Sequence, residues 1–135
     1  MKSIRFILLA LLLLVSAGVY SQQIYDRDGG YLGKVDNGRI YDRSGGYEGK
    51  IDSNRFYDRS GGYIGKVDDN RYYDRYGGYL GKVDGNRYYD RYGGYLGEMK
   101  NNWIYDRSGS WIGSVKGVSK TVVAAVFFFG LYNLR

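Results

Sequence analysis

A sixteen-residue unit is written six times in this chain with no insertion or deletion. The copies are IYDRDGGYLGKVDNGR (24–39), IYDRSGGYEGKIDSNR (40–55), FYDRSGGYIGKVDDNR (56–71), YYDRYGGYLGKVDGNR (72–87), YYDRYGGYLGEMKNNW (88–103) and IYDRSGSWIGSVKGVS (104–119). A fixed period means that each copy is one supersecondary unit that needs its neighbours to bury its apolar face. Sixteen residues are too few for a helix pair and fit two short strands joined by two turns.

Places within a copy are counted one to sixteen, from the apolar residue before Tyr-Asp. Places fourteen and fifteen hold Asn37-Gly38, Ser53-Asn54, Asp69-Asn70, Gly85-Asn86 and Asn101-Asn102. Most of these residue types tolerate positive φ, which a two-residue type I′ hairpin turn demands twice. The other link, Asp-Arg-x-Gly-Gly as in 42–46, is longer and fits a type I turn closed by glycine, with a bulge.

A two-residue turn fixes the register. Around Asp69-Asn70, Asp68 is expected to face Arg71, Val67 Tyr72, Lys66 Tyr73 and Gly65 Asp74. Alternation then assigns Ile40, Phe56, Tyr72, Tyr88 and Ile104 to a core face opposite Val35, Ile51, Val67, Val83 and Met99. The place-eight tyrosines Tyr31, Tyr47, Tyr63, Tyr79 and Tyr95 fall on that face too. A wet face takes the place-two tyrosines, the lysines and place nine, where Glu48 stands in one copy for an apolar residue.

Framed this way the chain holds five hairpins, 31–42, 47–58, 63–74, 79–90 and 95–106, with a half-hairpin left at each end. The leading strand 24–26 and the trailing strand 111–115 are free to pair and close a ring, which removes the edges that invite aggregation. An open solenoid is the alternative. From Thr121 the chain reads TVVAAVFFFGLYNLR, too short to span a bilayer as a helix. It reads as a buried segment covering one end of the core, helical around 122–126, with a membrane or partner contact as the competing reading.

Composition sets the compartment. Residues 1–21 carry basic Lys2 and Arg5, an apolar run over 6–15, and small Val19 and Ser21 ahead of Gln22, the pattern of a cleaved secretory signal. That divides the chain into a signal peptide (1–21), a hairpin-repeat domain (22–119) and an apolar C-terminal segment (120–135) packed on it. The mature chain is expected to be exported, to the periplasm, the outer surface or the medium, with no stable transmembrane span. With no cysteine it has neither a disulfide nor a lipid-anchor site. Its 18 basic and 14 acidic residues interleave along the repeats, which argues against nucleic acid as a partner.

The absence of histidine and cysteine excludes His-based nucleophile pairs, thiol chemistry and the usual zinc sites. Neither a catalytic residue, nor a cofactor, nor a metal site is expected. The recurring carboxylates Asp26, Asp42, Asp58, Asp74, Asp90 and Asp106 read as caps of their own turns. A carboxylate ring holding a cation is the alternative, and the likeness of 26–29 to a calcium loop occurs in one copy only. Tyr25, Tyr41, Tyr57, Tyr73, Tyr89 and Tyr105 form a ladder, with Lys34, Lys50, Lys66 and Lys82 each opposite the next tyrosine. Cross-strand packing accounts for it, or these six tyrosines form an aromatic platform for sugar rings or a quaternary amine.

The unit YDRSGGYIGKVDDNRYYD (57–74) resembles the hairpin repeats of the bacterial secreted five-fold β-flower proteins, over roughly residues 24–115. In these a Tyr-Asp turn, an apolar-Gly-Lys/Arg-Val/Ile strand and a Gly or Asn turn recur. The resemblance implies a small all-β domain of the cell envelope, with radially arranged antiparallel hairpins in a flower- or propeller-like ring, and implies no activity. The 17 tyrosines depart from it by making the wet face unusually aromatic. Two functional expectations follow: a structural or interaction domain of the envelope with a protein partner or none, and a carbohydrate or cell-wall binding module using the Tyr/Lys face.

Overall fold

The computed structural model describes residues 22–134, so the signal read over 1–21 lies outside the described residues. Twelve antiparallel strands close into a barrel: β1 (Gln22–Asp26), β2 (Tyr31–Asp36), β3 (Arg39–Asp42), β4 (Tyr47–Asp52), β5 (Arg55–Asp58), β6 (Tyr63–Asp68), β7 (Arg71–Asp74), β8 (Tyr79–Asp84), β9 (Arg87–Asp90), β10 (Tyr95–Lys100), β11 (Trp103–Asp106) and β12 (Trp111–Lys116). They form six units. The ring closes where the sequence leaves two strands unpaired: Ile24 faces Val115, Tyr25 faces Ser114 and Asp26 faces Gly113. This is the pairing of an intact hairpin such as β2–β3, where Val35 faces Ile40 and Gly33 faces Asp42. The sixth hairpin is thus assembled from the two ends of the repeat array.

The turns follow their chemistry. Asp69 and Asn70 have φ of 50° and 63°, as a type I′ turn requires, and the expected register around them is the observed one. At the wider turn the Gly45 amide donates to the Asp42 carbonyl (3.0 Å), the Asp42 amide donates to the Gly46 carbonyl (2.8 Å), and Gly45 has φ 84°. That is a type I turn finished by a left-handed glycine.

The place-one residues Ile24, Ile40, Phe56, Tyr72, Tyr88 and Ile104 point inward and are at most 2% exposed. The place-eight tyrosines do not join them. Between Ile24 and Tyr25 the pairing to β2 shifts, so Gly33 faces Ile24 while Tyr31 faces Tyr25. The same shift recurs between the other repeats. One extra residue, place nine, turns the strand over and carries place eight to the outer face. Place nine correspondingly leans inward: Leu32 is buried, and Ile64, Leu80, Leu96 and Ile112 pack on the core. Both assignments made by simple alternation are therefore reversed.

The C-terminal segment covers the core from within. Ser119 caps a short helix α1 (Lys120–Val123), its hydroxyl accepting from the Val122 amide at 3.3 Å, and a π-helical turn (Ala124–Phe128) follows. Lys120 holds the tight-turn rim by donating to the Gly85 carbonyl at 2.7 Å. From there the chain descends inside the ring, burying Val122, Val123, Ala124, Ala125, Tyr132 and Leu134. Among the described residues no helix is long and apolar enough to cross a membrane.

Candidate functional site

Two surfaces separate chemically, a filled interior and an aromatic outer wall. Inside, five of the six place-ten glycines lie against the tail as well as against the carbonyl of a neighbouring strand. A Cβ added to Gly113 would lie 2.6 Å from the Phe127 ring, to Gly97 2.8 Å from Phe128, to Gly81 2.6 Å from Phe129, to Gly65 3.4 Å from Leu131 and to Gly49 2.5 Å from Tyr132. Successive tail residues thus walk backward round the ring, one repeat at a time. Phe128 stacks on Tyr88 at 4.2 Å and Phe129 lies 4.8 Å from Tyr72. The Tyr132 hydroxyl accepts from the Tyr57 amide (3.1 Å) and can donate to the Tyr57 or the Lys50 carbonyl (2.9 and 3.0 Å). Burial pushes the Tyr72, Tyr88 and Tyr132 hydroxyls upward, so they remain protonated donors.

The recurring aspartates cap their own turns. Oδ1 of Asp42 accepts from the amides of Ser44 (2.9 Å) and Gly46 (2.8 Å), and the pattern repeats at Asp26, Asp58, Asp74, Asp90 and Asp106. The Gly46 amide is the main reason the Asp42 carboxyl lies below its ordinary range. The carboxylates are spent on six separate turns and not on a common ring, and no cluster among the described residues could hold a metal ion.

Outside, Tyr25, Tyr41, Tyr57, Tyr73, Tyr89 and Tyr105 are all half-buried on one belt. The strand reversal at place nine gives each of the first five a second ring across the strands. The pairs Tyr25–Tyr31, Tyr41–Tyr47, Tyr57–Tyr63, Tyr73–Tyr79 and Tyr89–Tyr95 have centroids 5.7 to 6.2 Å apart. Tyr105 faces Trp111, which itself packs edge-on against Trp103 at 4.9 Å. Lys34, Lys66 and Lys82 lie 5.4, 5.5 and 5.6 Å from the ring centres of Tyr41, Tyr73 and Tyr89. Lys50 faces Tyr57 in register but pairs with Asp52 at 3.7 Å. Shallow hollows of about 400 and 460 Å³ lie beside Arg87, Tyr89 and Tyr95, and beside Tyr95, Glu98, Lys100 and Tyr105.

A family model described as 5-fold beta-flower protein matches residues 21–131, most of the chain and the first part of its tail. The chain belongs to that family. No curated protein and no solved structure matches it. This β-flower has six units among its described residues.

Sequence reasoning found the six tyrosines but missed the place-eight partners and the glycine seats. A glycine in mid-strand in every copy signals a close approach, and in every copy a place-two tyrosine carbonyl supplies one, 2.1 to 2.7 Å from an added Cβ, with a tail side chain a second neighbour in five of them.

Proposed function

We propose that this β-flower is an exported, non-catalytic interaction scaffold of the cell envelope. The observation that supports it is the division of labour between the two faces. Most inward side chains pack into one core with the tail and the aspartates cap their turns, while a belt of Tyr, Trp, Lys and Arg remains at the surface. Tyr, Trp and Arg are the residue types that dominate binding hot spots. Tyr76 and Tyr92 project from adjacent wide turns at 85% and 82% exposure, each beneath its neighbouring arginine at 5.3 and 4.9 Å. Export is tested by mass spectrometry of the protein recovered from outside the cytoplasm. A chain beginning near Gln22 is expected, and one retaining residues 1–15 in the membrane would overturn the exported reading.

The hollows beside Tyr89, Tyr95 and Tyr105 favour a second reading, a carbohydrate or cell-wall binding module. Against it, the tyrosines already contact each other and the lysines, which leaves fewer open faces for sugar stacking. A glycan array separates the two. Binding that is lost in Tyr89→Ala and Tyr105→Ala would establish the second reading, and an array with no signal would leave the scaffold.

A further inference from the structure

A half-open cavity lies at the rim of the ring, beside its closure. At the wide turn of the first repeat it measures about 430 Å³ and is lined by Asp26, Arg27, Asp28, Leu32, Arg43 and Ile112. Its volume is comparable to that of the outer hollows, and its lining sets it apart. The first, second and last repeats build it, so it straddles the closure.

Its lining divides by chemistry. Leu32 and Ile112 supply an apolar wall packed on the core. Arg27 and Arg43 supply cations; among the described residues neither is in an ion pair within 4.0 Å, though Arg43 lies near enough to Asp42 to lower its carboxyl. The Asp26 Oδ1 atom is already taken by the amides of Asp28 and Gly30. Asp28 is different. It stands at place five, where the other copies have Ser44, Ser60, Tyr76, Tyr92 and Ser108. The turn needs only its amide, which makes the same bond to the place-three carboxylate as the Ser44 and Tyr76 amides do. Its carboxylate is surplus to the fold, and it occurs only in the copy that builds the cavity.

We infer that this cavity binds a small zwitterion carrying an apolar group, a free apolar amino acid or a dipeptide. The ligand's carboxylate meets Arg27 and Arg43, its ammonium meets Asp28, and its apolar side chain lies against Leu32 and Ile112. This goes beyond the scaffold reading and does not depend on it.

The test is a titration of the isotopically labelled exported protein, followed by the amide signals of Leu32, Arg43 and Ile112. The probes are L-leucine, leucyl-leucine, N-acetyl-leucine and leucinamide. Saturable shifts are expected with leucine or leucyl-leucine, the tighter of the two assigning the source. Affinity should fall roughly tenfold or more when the ammonium is acetylated, when the carboxylate is amidated, and in Asp28→Ser. That variant restores the residue of three sister turns, so its fold is preserved, and an unaltered spectrum away from the cavity verifies this. Arg43→Gln should weaken leucine more than leucinamide. No saturable shift with any probe up to about 10 mM, or equal affinity in Asp28→Ser, overturns the proposal.

Discussion

Replacing Gly113 with Ala tests whether the tail rings are what the place-ten glycines accommodate. An added Cβ would sit 2.6 and 2.8 Å from the Cε1 and Cζ atoms of Phe127 and 2.7 Å from the Tyr25 carbonyl oxygen, contacts that no real Cβ makes. Ring and closing strand must both give way, at about 1–3 kcal/mol for overpacking. Phe127→Ala alone removes a half-buried ring and should cost about 2–3 kcal/mol, below the cost of a fully buried one. In the double variant the clash with the ring is gone while that with the Tyr25 carbonyl remains, so the loss should undercut the sum of the single losses by about 1 kcal/mol or more. Urea unfolding, read by the fluorescence of Trp103 and Trp111 and by far-ultraviolet dichroism, gives the four free energies. A kcal/mol corresponds to roughly 0.5 M in the midpoint for a typical m-value. Additivity within about 0.5 kcal/mol would refute the seat and leave Gly113 answering to the β1 backbone alone.

Three further outcomes are expected. Deleting residues 22–27 removes β1, which pairs with both β2 and β12, so one cooperative unfolding transition should move to lower temperature as a whole; loss of the terminal repeat alone, with the rest unchanged, contradicts a closed ring. Gly38→Val forces a β-branched residue to φ 78° with its Cβ 2.5 Å from the Ile51 carbonyl oxygen, and should cost about 2 kcal/mol or more in denaturant unfolding; wild-type stability would show the turn to be something other than I′. Glu48 has its carboxyl raised by burial first and by Asp42 second. A raised acid is penalised when ionised, so the penalty is absent below the ordinary glutamate range and complete above the raised value. Glu48→Gln should therefore stabilise the fold at pH 7 and lose that advantage by pH 4, as chemical unfolding at the two values will read; an advantage greater at pH 4 reverses the argument.

The one structural error in reading the sequence shows what a repeat period conceals. The tight turn pairs place twelve with the following place one, so counting back along the strand puts place ten inside, nine outside and eight inside. The wide turn makes its own demand: closing Asp-Arg-x-Gly-Gly brings place eight opposite place two, on the outside. Strict alternation cannot satisfy both. The six-residue strand Tyr31–Asp36 carries one residue more than the two registers permit, and that residue is place nine, the bulge. Both turns were legible, so the conflict was too, but only by propagating the register from each end and finding that the two meet out of phase. The tail is a different case. Its burial follows from its apolar run, whereas the one-to-one match of Phe127, Phe128, Phe129, Leu131 and Tyr132 to Gly113, Gly97, Gly81, Gly65 and Gly49 needs the ring's curvature, which no local pattern encodes. The outer belt depends on both. Place eight could join place two on the surface only because place nine turned inward, so the bulge that helps fill the interior also doubles the aromatic wall.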